Sequence, residues 1–229
     1  MFIEQPNQLL VKMYPSALWR MDPDEKAIYL TFDDGPIPEV TPWVLDKLDE
    51  FNVKATFFMV GDNVRKHPDI FRMVVERGHG IGNHTMHHIK FFDRNSLRYM
   101  ADVREMEQLV NDRLTVSPED ENYELFTSQL SIFNSKKLFR PPHGLLSHYQ
   151  YVKLKRAGYQ VVMWDLVTRD YSCKLLPPQV LSNVLRYTRN GSIITFHDSL
   201  RSWNKGNLSY ALSHALGFFQ EEGYQLKLL

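Results

Sequence analysis

Two adjacent carboxylates, Asp33 and Asp34, close the apolar run Ala27-Ile28-Tyr29-Leu30-Thr31-Phe32 and are followed at once by Gly35-Pro36. Such a run reads as a buried strand, and Gly-Pro supplies the turn that ends it. Neighbouring anions repel, so the pair calls for a cation, a shared proton or an arginine. Asp-Gly is also a common solvated turn, and the pair alone does not decide between these readings. Three histidines, His84, His87 and His88, stand within five positions. If that stretch is helical, His84 can pair with His87 or with His88 on one face. Two imidazoles and one carboxylate make an open-sided site for a divalent cation, which would also relieve the repulsion between the aspartates.

A carboxylate left free beside such a cation suits hydrolysis. The metal lowers the pKa of its water from about 15.7 to about 7, and the carboxylate takes the proton as the water attacks. His197 is the natural acid for the leaving group, since an ordinary imidazole titrates near pH ~6.5. Arg140 can clamp the free carboxylate. A backbone N–H in the tight turn Pro142-His143-Gly144 can face the oxyanion together with the metal.

The rest of the chain reads as the frame that brings these residues together. Apolar runs predict strands at Ala27–Leu30, Ala55–Val60, Gly80–Gly82, Leu138–Phe139, Gln160–Trp164, Ser192–Phe196 and Tyr224–Leu228. Between them, helical spacing and capping signals predict helices at Pro42–Leu48, Pro68–Arg77, Ser147–Gly158, Pro177–Asn190 and a last one through Phe219. A long amphipathic helix from Ser96 is expected to bury Leu97, Met100, Val103, Met106 and Val110. Val116–Lys137, with the acidic run Glu119-Asp120-Glu121, is expected to be a surface insertion or a lid. At least six strand–helix units with uniformly apolar strands predict an α/β fold, a parallel sheet closed or nearly closed into a barrel with outer helices. The polar clusters Asp33-Asp34, His84–His88, Arg140–Gly144, Asp165–Asp170 and His197-Asp198 each follow a predicted strand, which puts them on the barrel face where active sites form.

At 229 residues with no internal repeat or linker, one domain is expected over residues 26–229, with residues 1–25 as an extension packed on it. Lys plus Arg and Asp plus Glu both total 27, so nothing points to nucleic acid. The single cysteine, Cys173, excludes an intrachain disulfide and a cysteine-based metal site. No apolar run is long enough to span a membrane, and no signal peptide is seen, so cytoplasmic is the default expectation. Composition sets no oligomeric state.

Thr31–Pro36, His84-Thr85-x-x-His88, Arg140-Pro141-Pro142-x-Gly144 and His197-Asp198 together resemble, in order, the motifs of polysaccharide deacetylases with a NodB homology domain (carbohydrate esterase family 4). The resemblance runs from about Lys26 to Leu229. It implies a distorted (β/α) barrel, usually seven-stranded, and metal-dependent hydrolysis of acetyl groups on a glycan. The N-acetyl of N-acetylglucosamine units is expected, as in peptidoglycan or chitin-type glycans, with lipid-linked sugars and acetylated xylan also open. By position, Asp33 resembles the base, and Asp34, His84 and His88 the ligands of a divalent metal, usually zinc, with cobalt or another ion an alternative. Arg140 resembles the tether of the base and His197 the acid. The backbone of His143, with Gly144, resembles the oxyanion turn, and Trp164 a wall of the site.

Three positions depart from the family pattern. The fourth motif, usually Asp-x-x-Asp-Trp, reads Val167-Thr168-Arg169-Asp170-Tyr171, so its first acid, expected to tune His197, is absent. Asp165 or Asp170 is the candidate replacement. His143 stands where tyrosine is common, and Thr195 where leucine lines the acetyl pocket. Two other readings use fewer of these residues. A two-histidine iron(II) oxygenase leaves Asp33, Arg140 and His197 idle, and a catalytically weak glycan-binding module on the same fold needs neither base nor acid.

Overall fold

The computed structural model describes residues 4–92 and 95–229. Seven parallel strands lie in the order β5 (Gln160–Val161), β4 (Leu138–Phe139), β3 (Gly80–Asn83), β2 (Thr56–Met59), β1 (Ala27–Asp33), β7 (Ile193–His197) and β6 (Leu166–Val167). A short β8 (Gln225–Leu226) pairs with the start of β1. The path curls into a half-barrel with outer helices, the distorted seven-stranded barrel that the family resemblance implies.

The two end strands, β5 and β6, do not pair. The N-terminal segment crosses that seam, ahead of the strands it bridges. After the short helix α1 (Gln8–Met13), Leu18 donates its N–H to Val161 O (2.8 Å) and accepts from Met163 N–H (2.8 Å). Three residues later, Met21 N–H reaches Gly191 O (2.8 Å). Tyr14 and Trp19 are buried on the way, which explains why this stretch mixes apolar and polar residues.

Alternation along the strands sorts side chains between two layers. In β1, Ile28, Leu30 and Phe32 join the core beneath the helices, whereas Ala27 and Tyr29 point into the barrel with Phe58, Leu138, Val162 and Ile193. The same period sends Ile194 and Phe196 of β7 outward and Ile193 inward. The next inward positions up β1, β4 and β7 are polar: Thr31 and Asp33, Arg140, and Thr195 and His197. The barrel interior therefore changes from apolar at its base to charged at its mouth.

The outer layer comprises α2 (Thr41–Glu50), α3 (Gly61–Lys66), α4 (Pro68–Glu76), α5 (Ser96–Leu114), α6 (Tyr123–Lys136), α7 (His148–Arg156), α8 (Pro177–Tyr187), α9 (Leu200–Trp203) and α10 (Asn207–Glu221). Ser147 caps α7 through a capping box with Gln150, as its position predicts. Two expectations are corrected. Val116–Lys137 is no lid: α6 buries Phe126, Gln129 and Phe133 against α4, α5 and β3, and Asp120 of the acidic run is paired with Arg72 at 3.0 Å. On α5, Leu97 is exposed, while Tyr99 and Asp102 are buried.

One buried titratable group belongs to the fold rather than to the site. His79, at the entry to β3, is fully buried; its Nδ1 accepts the Ala55 N–H (3.2 Å). Burial lowers its pKa to about 4. An unfolded histidine takes up a proton below pH ~6.5, which the folded one refuses until pH ~4, so stability is lost as pH falls through that window, by about 3 kcal/mol. Thermal melts between pH 7 and 4.5 should show a shallower loss for His79→Gln than for the native chain. Parallel curves would refute this assignment.

Candidate active site

Inward alternation brings the chemistry together. Asp33 ends β1 directly opposite His197 at the end of β7. Arg140 follows β4 with Leu138 inward and Phe139 outward, so it too faces the interior. His84 immediately follows β3, where the outward Asn83 donates its side-chain N–H to Val103 O of α5 (2.8 Å).

Asp34 lies just past β1 with a backbone φ of 90°, which turns its carboxylate toward the histidine loop. Its Oδ1 is 3.3 Å from His88 Nε2 and 3.8 Å from His84 Nε2. These residues offer one carboxylate and two ring nitrogens, all within 4.8 Å of one another. His84 Nδ1 lies 2.7 Å from Arg140 O. A carbonyl only accepts, so Nδ1 carries the proton and Nε2 the lone pair. Burial, followed by the neighbouring His88, holds the His84 pKa well below its ordinary value, which keeps the ring neutral. A neutral, oriented imidazole is what a metal requires. The donor set fits a divalent cation such as zinc.

The stretch is not helical, contrary to the spacing argument. Thr85 and His88 have positive φ (66° and 51°), so His84 and His88 meet through a turn. His87 points elsewhere, its Nδ1 2.5 Å from Asp102 Oδ1. The helical pairing of His84 with His87 is thereby excluded.

Asp33 is held by Arg140, whose Nη1 donates to Asp33 Oδ1 (2.7 Å) and to Thr31 Oγ1 (2.7 Å). Arg140 is itself buried, lies over the Phe58 ring at 4.1 Å and donates through Nη2 to Met163 O (2.8 Å). Burial pushes the Asp33 carboxyl above its usual range, and Arg140 and then His197 pull against it. On the neighbouring strand β7, His197 donates its Nδ1–H to Asp170 Oδ1 (2.8 Å), and its backbone N–H donates to Asp170 Oδ2 (2.8 Å). Burial alone would lower the His197 pKa; the Asp170 carboxylate overrides that and raises it to about 9. His197 is therefore an imidazolium at neutral pH.

The loop after β1 is anchored by Asp198, which accepts from Gly35 N–H (3.0 Å) and Thr41 Oγ1–H (2.6 Å). A Cβ on Gly35 would lie 1.9 Å from the Asp198 carboxylate, which explains the glycine. Burial pushes the Asp198 carboxyl up to about 8. On the other side, Pro142–Gly144 forms a single 3-10 turn that sets the His143 ring 4.8 Å from that of His88. Gly144 has φ 68° and rests on Trp164, where a Cβ would meet the indole at 2.1 Å. Trp164 packs edge-on against Trp19 (5.9 Å).

Comparison with known proteins decides the family. The family profile described as Polysaccharide deacetylase matches residues 20–162. The chain belongs to this family, carbohydrate esterase family 4. It is 32% identical over 209 residues to a peptidoglycan-N-acetylglucosamine deacetylase of Bacillus cereus, covering 90% of this chain and 88% of that one. It is 28% identical to a chitooligosaccharide deacetylase of Bradyrhizobium, covering 88% of each. Among solved structures, a family 4 carbohydrate esterase, PdaA of Bacillus subtilis, superposes with a TM-score of 0.76 at 25% identity, covering 100% of this chain and 93% of that one. A peptidoglycan N-acetylglucosamine deacetylase in complex with 4-naphthalen-1-yl-N-oxidanyl-benzamide gives a TM-score of 0.80 at 27% identity, covering 98% and 95%.

Within this deacetylase fold, the two acids weighed for tuning His197 separate cleanly. Asp165 precedes β6 and so lies toward the base of the barrel, where it accepts from Arg189 Nε (2.9 Å) and Ser192 Oγ (2.7 Å). It is not a partner of His197. Asp170 follows β6 and reaches the mouth. Val167, in place of the absent first acid, instead donates its backbone N–H to Glu4 O (2.8 Å). Thr195 faces inward at 3.2 Å from Thr31, a more polar lining than the leucine usual there. Of the buried acids, the sequence reading names Asp198 only within the His197-Asp198 cluster, with no role of its own, and does not single out Asp102. The adjacency of Asp198 to His197 was the one signal available.

Proposed function

We propose that this protein is a metal-dependent deacetylase that removes N-acetyl groups from N-acetylglucosamine units of a peptidoglycan or chitin-type glycan. The observation that carries the reading is the juxtaposition of a buried, arginine-held Asp33 and an Asp170-held His197, paired in register at the ends of β1 and β7, with the Asp34, His84 and His88 cluster. The activities named for the relatives, on N-acetylglucosamine in peptidoglycan and on chitooligosaccharides, support the substrate class.

Asp34, His84 and His88 would hold a divalent cation, which would supply an acidified water and polarise the acetyl carbonyl. Asp33 is the base: Arg140 occupies Oδ1, which leaves Oδ2 to receive the proton of the attacking water. Arg140, itself buried, fixes that carboxylate. His197 presents Nε2, because Nδ1 is committed to Asp170, and delivers its proton to the departing amine. The carbonyl–nitrogen bond breaks, water's hydroxyl ends in acetate, and the sugar keeps a free amine. The backbone N–H of His143 is the oxyanion donor in this reading, with Trp164 as the wall beneath that turn.

Acetate and free-amine release from N-acetylglucosamine oligomers, alongside acetylated xylan, tests the reading. Release of both acetate and amine from the oligomers is expected. Acetate from xylan alone would make the chain an O-deacetylase. The binding-module reading loses its main support, the missing tuning acid, because Asp170 fills that role.

A further inference from the structure

The loop that carries His84 and His88 is an irregular one. Two of its non-glycine residues, Thr85 and His88, have positive φ, a conformation that costs roughly 1–3 kcal/mol per residue and persists only where surroundings impose it. Its outer side is held by α3, where Gly61 N–H donates to Thr85 O (3.0 Å) and Asp62 N–H to Met86 O (2.8 Å). Its other side is held by one carboxylate. Asp102, in the middle of α5 and only 6% exposed, accepts from Met86 N–H (2.9 Å) and His87 N–H (3.1 Å) through Oδ2. Through Oδ1 it accepts His87 Nδ1–H (2.5 Å).

A buried acid in a helix core face is costly unless its oxygens are satisfied. Here all three hydrogen bonds go to the two residues immediately before His88. None goes to α5 itself. Among the described residues, no lysine or arginine pairs with Asp102, so this loop is what its charge serves. The same contacts draw the His87 ring away from Asp34 and leave His88 as the second imidazole.

We infer that Asp102 is a positioning residue for the metal site, fixing the His84–His88 turn so that His88 rather than His87 faces Asp34. The inference rests on the reading that Asp34, His84 and His88 hold a divalent cation. Hydrogen-bond partners one step removed from a metal typically change its affinity 10- to 100-fold when removed. Glu105, one turn along α5, together with His87 and Asp102 could instead hold an ion of its own, their ligand atoms also lying within 4.8 Å of one another. That arrangement would spend the His87 and Asp102 atoms already bonded to each other.

The test is zinc affinity and stoichiometry, measured by competition with a chromogenic chelator, together with the visible spectrum of the cobalt-loaded protein. Native chain, Asp102→Ala, Asp102→Asn, Asp102→Glu and Glu105→Ala are compared. One zinc per native chain is expected, with a dissociation constant raised 10- to 100-fold in Asp102→Ala and an altered cobalt spectrum. Partial recovery is expected in Asp102→Glu, and no change in Glu105→Ala. Asp102→Asn carries the comparison if the alanine variant does not fold, and a raised dissociation constant is expected there too. Native zinc affinity and an unchanged cobalt spectrum in folded Asp102 variants would overturn the inference. So would two zinc ions per native chain with only the second lost in Asp102→Ala. If the native chain binds no zinc, it is the metal-site reading itself that fails.

Discussion

Asp33→Asn should lower acetate release from N-acetylglucosamine oligomers by about 10³-fold while leaving one zinc bound, a loss within the range for removing a positioned general base. Asn keeps the shape and can still accept from Arg140 at the position of Oδ1, so the geometry of Thr31, Arg140 and Met163 is preserved. What it lacks is a basic Oδ2. The substitution also leaves Arg140 buried without its counter-charge, and breaking a buried pair in this way typically costs about 3 kcal/mol. A lower melting temperature should therefore accompany the lost turnover. Steady-state rates, zinc content and melting on one preparation separate the two effects. Native turnover in a zinc-loaded Asp33→Asn would remove Asp33 from the mechanism.

Asp170→Asn should move the alkaline limb of the rate profile to lower pH by about 2.5 units or more. His197 must be protonated to act as an acid, so activity is present below its pKa and lost as pH rises through it. In the native chain that pKa is raised to about 9 by the Asp170 carboxylate. With a neutral amide in its place, the burial that opposes protonation is no longer offset, and the ring falls back to pH ~6.5 or below. At pH 8, rates should drop on the order of 10- to 100-fold, with partial recovery on acidification. The same pair stabilises the fold below pH ~6.5, and that contribution is lost as pH climbs through about 9, so the substitution should also flatten stability across this interval. An unshifted alkaline limb in Asp170→Asn would show that another group sets the charge of His197.

The sequence made the barrel and the main constellation legible because both depend on strand ends. Asp33, His84, Arg140 and His197 each end or immediately follow an apolar run, and strict alternation then turns them inward. What it left open depends on short or irregular elements. β6 is two residues long, too short to be read from periodicity, and without it Asp165 and Asp170 both follow the strand predicted at Gln160–Trp164. With β6 in place, they fall at opposite ends of it. The His84–His88 turn owes its shape to hydrogen bonds from α3 and α5, partners far away in sequence, so local spacing suggested a helix instead. Asp102 escaped notice for a similar reason: an acid on an amphipathic helix reads as solvated until its tertiary partners are known. The segment 116–137, with its acidic run, reads as a surface insertion or a lid, and the three side chains that α6 buries are what set the lid aside.

The central claim is that Asp34, His84 and His88 hold one divalent cation on which deacetylation by Asp33 and His197 depends. The most direct measurement titrates chelator-stripped protein with zinc while acetate release from N-acetylglucosamine oligomers is followed, with Asp34→Asn as the comparison. Activity should be absent at the start, rise linearly and break at one equivalent, and Asp34→Asn should need a large excess of zinc to respond at all. Full activity in the stripped protein, or an Asp34→Asn curve that overlays the native one, would contradict the account.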